Sequence, residues 1–213
     1  MKEITCSCVI TMIIVLASFS NAFAQEQVGK PAFKEGDFWR YNVIERDFVG
    51  YSSAALRGAY EMTYLQGQVK VFMLNGDHKE EVAANPDSEI DQLLVLLGLS
   101  EKRHDLKFPL GPGKKWSYEY KHRPRGAQRE QLRFVDINVS GVEQVTTTAG
   151  AFKAFKILKD ERWAKGGRTG GGPWGRRSIY FYSPDIKSVV KSSMEAEGGA
   201  RREIELIQFG SVR

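Results

Sequence analysis

The side chains best suited to proton transfer or metal binding near neutral pH are His78, His104 and His122, the three histidines of this chain. They stand far apart. No HxxxH or HxH pairing would bring two imidazoles onto one metal, so the sequence predicts no metal site. Serines pair in Ser52-Ser53 and Ser192-Ser193, yet no GxSxG elbow accompanies them. A histidine and a serine assembled by the fold would make a hydrolase, because triads are defined by geometry rather than spacing. That is the enzymatic alternative. Glu80 and Glu81 are adjacent, so in a strand they point to opposite faces and cannot flank one glycosidic bond. No residue is assigned a catalytic role, no cofactor is implied, and a non-enzyme is expected.

Binding chemistry is better represented. Gly166 to Gly175, GGRTGGGPWG, is rich enough in glycine to suggest a phosphate cradle, but it lacks the GxxxxGK[ST] spacing and the helix that supplies the anion site. It reads as a hairpin loop between Trp163 and Ile179. Trp174, with Arg168, Arg176 and Arg177 nearby, would form a basic and aromatic lip over a cavity. Trp116, Trp163, Arg168 and Trp174 are therefore the candidate ligand-binding residues. A basic stretch, Lys114 to Arg133, also holds Trp116, Tyr118 and Tyr120. Basic strands with interleaved aromatics bind single-stranded nucleic acid elsewhere. Here the alternation turns the aromatics away from the lysines, and an exported chain does not meet nucleic acid as its business. The patch reads as a solvated face or as one attracted to anionic lipid, lipopolysaccharide or acidic polymer.

The elements that would carry these residues are strands. Apolar and aromatic residues recur at period two and are broken by Gly, Pro, Asn and Asp. Trp39, Tyr41 and Val43 form one run, Tyr60, Met62 and Tyr64 a second, and Val69, Val71 and Met73 a third that ends at Asn75-Gly76-Asp77. Trp116, Tyr118 and Tyr120 follow, then Val135 to Val139, Val142 to Thr147, Phe155 and Ile157, Ile179 and Phe181, Val189 and Val190, and Arg202 to Phe209. That predicts roughly ten strands. Short connections favour an antiparallel meander, since parallel strands need long crossovers. The predicted fold class is mainly β: a curved antiparallel sheet, as a half barrel, barrel or sandwich, with one short helix. The helix falls within Pro86 to Gly98, where Ile90, Leu93, Leu94 and Leu97 share one face, with a fully buried strand through Leu93 to Leu97 as the competing reading. Asp87 and Ser88 are placed to cap its start, Gly98 to follow its end, and the whole to cover an open end of the sheet. In the Val142 to Ile157 hairpin, Gly150 is expected to take positive φ. Phe155 and Ile157 are expected to meet Val145, with Phe152 on the opposite face.

Residues 1–24 have the parts of a secretory signal: Lys2, an apolar run centred on Val9 to Phe19, and the small-x-small site Ala22-Phe23-Ala24. The run is short for a membrane span, which needs about 20 apolar residues. Cys6 and Cys8 lie upstream of the cleavage point, so no lipid-modified cysteine is predicted. Residues 25–213 contain no cysteine and read as a single β-rich domain, exported to a periplasmic or extracellular address without a transmembrane span. The whole chain carries a formal net charge of +5.

Gly36-Asp37-Phe38-Trp39-Arg40-Tyr41 resembles the GD-x-W-x-Y opening of a family of exported bacterial proteins of unknown function. Phe108-Pro109-Leu110 with Gly113-Lys114-Lys115-Trp116 resembles that family too. So do the Val142 to Ile157 hairpin, Tyr182-Ser183-Pro184-Asp185-Ile186-Lys187 with Val190-Lys191, and the terminal Glu205-Leu206 strand. Thr148 stands where the pattern usually has Pro. The resemblance implies a curved antiparallel sheet, distantly similar to periplasmic lipoprotein-carrier half barrels, and brings no catalytic residue. The function expected is non-enzymatic binding, in the concavity of the sheet, of an apolar or amphipathic small molecule or lipid, or of an envelope protein. A structural or assembly accessory of the envelope is the alternative.

Overall fold

The computed structural model describes residues 27–46, 58–82, 90–100, 103–123, 130–163, 174–197 and 199–211. The expected signal segment, Arg168 and most of the Gly166 to Gly175 loop lie outside them. The alternating runs become ten antiparallel strands: β1 (Asp37–Arg46), β2 (Gly58–Leu65), β3 (Gln68–Asn75), β4 (His78–Glu81), β5 (Lys115–His122), β6 (Gln131–Thr147), β7 (Gly150–Trp163), β8 (Trp174–Ser183), β9 (Ser188–Ala196) and β10 (Arg201–Ser211). Among the described residues there is one helix, α1 (Ile90–Leu96), between β4 and β5.

All ten strands belong to one sheet, ordered β4-β3-β2-β1-β10-β9-β8-β7-β6-β5. The sheet is curved and unclosed, with β4 and β5 as its edges. Its order is the order of the chain taken around a circle. The meanders β1–β4 and β5–β10 join only where β1 pairs with β10, in a register running from Asp37 opposite Ser211 to Arg46 opposite Arg201.

Alternation decides which face is dry. Tyr41, Tyr60, Leu206, Tyr182, Phe155 and Ile157 turn to the inner face and are buried there, while most of the charged residues in the strands are exposed or half-buried. A sheet with one greasy face needs a cover. α1 supplies it by burying Leu93 and Leu96 in the same core, joined by Leu97 just past its end. Ser188 Oγ donates to the Leu96 carbonyl at 3.1 Å and lies 2.5 Å from the Tyr41 hydroxyl, tying the helix to β9 and β1. The helix thus lies against the central strands rather than at an open end. A bond from Ser188 to its last turn and a leucine face matched to the middle of the sheet hold it there. Gly98 follows the helix with φ of 71°, as expected for the residue past a helix end. A Cβ there would lie 3.2 Å from a Phe108 ring carbon. Gly98→Ala is expected to cost about 1–2 kcal/mol from the left-handed backbone alone, with crowding added, measurable by urea unfolding.

The β6–β7 hairpin closes on Thr148-Ala149, and Gly150 takes φ of 135°. Its register pairs Val145 with Phe152, and Val142 with Phe155. The expected meeting of Val145 with Phe155 and Ile157 is therefore corrected, because a two-residue loop leaves no slack for it. Phe152 packs edge-on against Phe209, with ring centroids 5.7 Å apart. The tip also reaches β10, with the Thr148 amide donating to Glu205 Oε1 at 2.6 Å and the Ala149 amide to the Leu206 carbonyl at 3.3 Å. No helix among the described residues is long and apolar enough to cross a membrane.

Candidate functional site

On β7 the residues Ile157, Lys159, Glu161 and Trp163 share the inward phase, which places an ammonium and a carboxylate where the pattern calls for apolar side chains. Register sets their neighbours. Lys159 lies between Ile137 and Ser178, and Glu161 between Val135 and Arg176. Both are buried, at 2% and 1% exposure. Charges so placed persist only if each is paired and hydrogen-bonded.

They are. Glu161 Oε2 accepts from Arg176 Nε at 2.8 Å and lies 2.7 Å from Arg176 Nη2 and 3.4 Å from Lys159 Nζ. Its Oε1 accepts from the Tyr120 hydroxyl at 2.7 Å. Lys159 Nζ also donates to Asp105 Oδ2 at 2.7 Å. Asp105 comes from the loop after α1, is fully buried, and accepts from the hydroxyls of Tyr118 and Tyr180. The result is a chain of alternating charge, Arg176–Glu161–Lys159–Asp105, with three tyrosines closing its open valences. Burial opposes ionisation of Glu161, but Arg176, Lys159, the Tyr120 hydrogen bond and Arg103 outweigh it and hold the carboxyl well below the usual glutamate range. Burial and the neighbouring Asp105 carboxylate, which also takes its hydrogen bond, drive the Tyr118 hydroxyl far above its ordinary range. Neither group is poised to exchange protons near neutral pH.

Towards the far end of β7, Arg133 lies over Trp163, its guanidinium carbon 3.7 Å from the ring centroid. Its Nη2 donates to Gln131 Oε1 at 3.0 Å, while its buried Nε has no partner among the described residues. His122 stands at this end too. Burial, with Arg133, Arg103 and Arg176 adding repulsion, pushes the imidazole down to about 4. An unfolded chain protonates His122 below about pH 6.5, whereas the folded chain resists until about 4. Protons therefore favour unfolding in that window, and stability falls as pH drops through it. Wild type is expected to lose on the order of 1 kcal/mol more than His122→Gln between pH 7.5 and pH 5, read from urea midpoints at both values.

Of the four candidate binding residues, the structure describes the side chains of Trp116 and Trp163, which stand apart. Trp116 is buried and its Nε1 donates to the His104 carbonyl at 2.7 Å, so it anchors the loop after α1. Trp163 is half-buried under Arg133, four rows of paired residues away from Trp116. Trp174 opens β8 with its backbone opposite Trp163. Arg168 lies outside the described residues. His78 and His104 are exposed, and no group of three or more His, Cys, Asp and Glu among the described residues is placed to hold a metal ion.

Sequence reasoning missed the charged chain. A signal existed, since Lys159 and Glu161 keep the phase of Ile157 and Trp163, and a charge in that phase is either misfolded or paired. A cleft also opens beside this chain, between α1 and strands β8 to β10. It has a volume of about 40 Å³ and is lined by Val95, Leu96, Arg103, Arg176, Ser178, Tyr180, Ser192, Ser193, Met194, Arg202 and Ile204.

No protein-family model matches the chain, and no curated protein matches it. Among solved structures, a candidate lipoprotein of Parabacteroides distasonis is similar at 11% identity and a TM-score of 0.43, over 87% of this chain and 100% of that one. The hypothetical lipoprotein YmcC of Escherichia coli is similar at 12% identity and a TM-score of 0.41, over 99% of this chain and 100% of that one. A candidate exported protein of Bacteroides fragilis with YmcC-like fold is similar at 14% identity and a TM-score of 0.35, over 87% and 100%. Likenesses at that level assign neither activity nor ligand.

Proposed function

We propose that this chain is an exported, non-enzymatic binding protein that recognises the polar part of an amphipathic ligand, or of an envelope partner, at the inner face of its sheet. The observation that carries the reading is the cleft between α1 and β8–β10, where polar side chains line an opening at the inner face of the sheet. The dry rows of the sheet are spent on α1 and on their own neighbours. A cleft of about 40 Å³ holds roughly three waters. That suits a small polar group and leaves an acyl chain or a second aromatic surface to lie outside. The non-enzymatic half of the proposal draws on the fixed protonation of the buried groups. Glu161 stays ionised and Tyr118 stays neutral, so the charged chain serves as a brace rather than as an acid–base pair.

Native mass spectrometry of the protein purified from an envelope preparation, and after incubation with a lipid extract, tests the reading. A bound species of fixed stoichiometry whose occupancy falls in Ser178→Ala/Ser192→Ala is the expected result. An empty spectrum in both samples, with no partner captured at low or high salt, would overturn it. Turnover of ester, phosphoester or glycoside substrates that depends on a histidine would instead restore the hydrolase.

A further inference from the structure

We propose that the cleft between α1 and strands β8 to β10 is an anion site that takes a phosphate- or sulfate-sized oxyanion, free or as the headgroup of a lipid. The proposal rests on the binding reading given above and names the chemistry of its ligand.

The strands place the donors. Ser178 on β8 lies opposite Met194 on β9, Tyr180 opposite Ser192, and Met194 opposite Arg202 on β10. These inward side chains form a patch two residues deep beneath Leu96. Ser178 and Ser192 are 6% and 5% exposed, and no described residue hydrogen-bonds either hydroxyl. Neither hydroxyl is among the fully buried, unpaired side-chain atoms of the described residues, so both keep contact with the cleft and can donate to a guest there. Arg176 points the same way. Its Nε and Nη2 are taken by Glu161, while its Nη1 has only the Met194 sulfur, at 4.0 Å. A thioether is a weak acceptor for a guanidinium. Arg103 and Arg202 also line the cleft, and among the described residues no carboxylate does.

Charge and size agree. Arg103, Arg133 and Arg176 act together on His122, and Arg103 and Arg176 repel one another. An anion between them relieves that repulsion. Guanidinium and hydroxyl donors are the groups that recognise oxyanions, with charge-assisted bonds about twice as strong as neutral ones. Room for roughly three waters is room for three oxygens around one central atom. A chloride would leave the serines apart, and a sugar ring would not enter.

Isothermal titration of the full chain with inorganic phosphate at low ionic strength is the direct test. Saturable 1:1 binding is expected, weakened at least tenfold in Ser178→Ala/Ser192→Ala and unchanged in Lys121→Ala, which lies on the outer face of β5. The serine changes remove only hydroxyls, so they should fold, and a matched circular dichroism melt shows that they do. A second arm uses vesicles of phosphatidic acid against vesicles of phosphatidylcholine. Binding to the former that free phosphate competes away assigns the source to a lipid headgroup. Phosphate binding with no vesicle binding assigns it to a soluble oxyanion. Absence of saturable phosphate binding, or equal binding by the serine double variant, overturns the proposal. If phosphate fails while native mass spectrometry still shows a species lost in the double variant, the oxyanion falls and the binding reading stands. If both fail, both fall.

Discussion

Replacing Glu161 with Gln is expected to destabilise the fold by about 3–5 kcal/mol, the cost of breaking a buried ion pair from one side. The carboxylate takes bonds or close contacts from Arg176, Lys159 and Tyr120. A neutral amide leaves Lys159, at 2% exposure, with Asp105 as its remaining anion. The amide also turns a donor towards a site that holds only donors. Urea unfolding at pH 7.5 reads the loss directly. Lys159→Met combined with Glu161→Leu should recover part of it, because an apolar pair of similar volume avoids the desolvation of two ions. The pH dependence has a definite sign. Glu161 titrates lower in the folded chain than in the unfolded one, so its contribution is complete above about pH 4.5 and drains away as acid is added below that. In Glu161→Gln that part of the acid sensitivity disappears, and wild-type and variant curves should converge as pH falls. Curves that stay parallel would show that the carboxylate is not what the network depends on.

Asp105→Asn should cost about as much, on the order of 3–5 kcal/mol, and it adds a local signature. Asp105 is the point at which the segment after α1 is fastened to the sheet, through Lys159, Tyr118 and Tyr180 together. The same segment is held a second time by Trp116, whose indole donates to the neighbouring His104 carbonyl. Loss of the carboxylate should loosen both. Hydrogen exchange is expected to speed up across 103–110 well before β6 and β7 open, and the buried Trp116 should shift its emission to the red. Uniform exchange across the chain would instead mean that this segment opens only with global unfolding.

Fold class was legible because period two survives in nearly every strand, and Gly98 and Gly150 sit where backbone geometry demands them. The expected number of strands matches the observed ten through two compensating differences. β6 is one strand from Gln131 to Thr147, and the break read near Ser140 is a register shift between Val139 and Gly141. A bulge interrupts the alternation without ending the strand. β4, by contrast, reads HKEE, is exposed at every position and offers no apolar residue to betray it. Such polarity suits an edge, where charge discourages pairing with another chain. The site was harder to read for a related reason. Lys159 and Glu161 carried a phase signal, but their partners come from the loop residue Asp105, from Tyr120 on β5 and from Arg176 on β8. Only tertiary structure brings those together. The cleft depends on Ser178 and Ser192, which in sequence are ordinary strand serines.

Pairing of the first strand with the last also sets how the molecule must form. The N-terminal meander has no flank to lean on until residues some 160 positions away arrive at its side. Bringing such distant segments together costs loop-closure entropy before any contact rewards it, so this topology belongs with the slow folders of high contact order. Meanwhile β1 and β9 each offer an unsatisfied ribbon of amides and carbonyls to any passing chain. Arrival of β10 quenches both at once, so the final eleven-residue strand acts as a zip fastener for two half-built pieces.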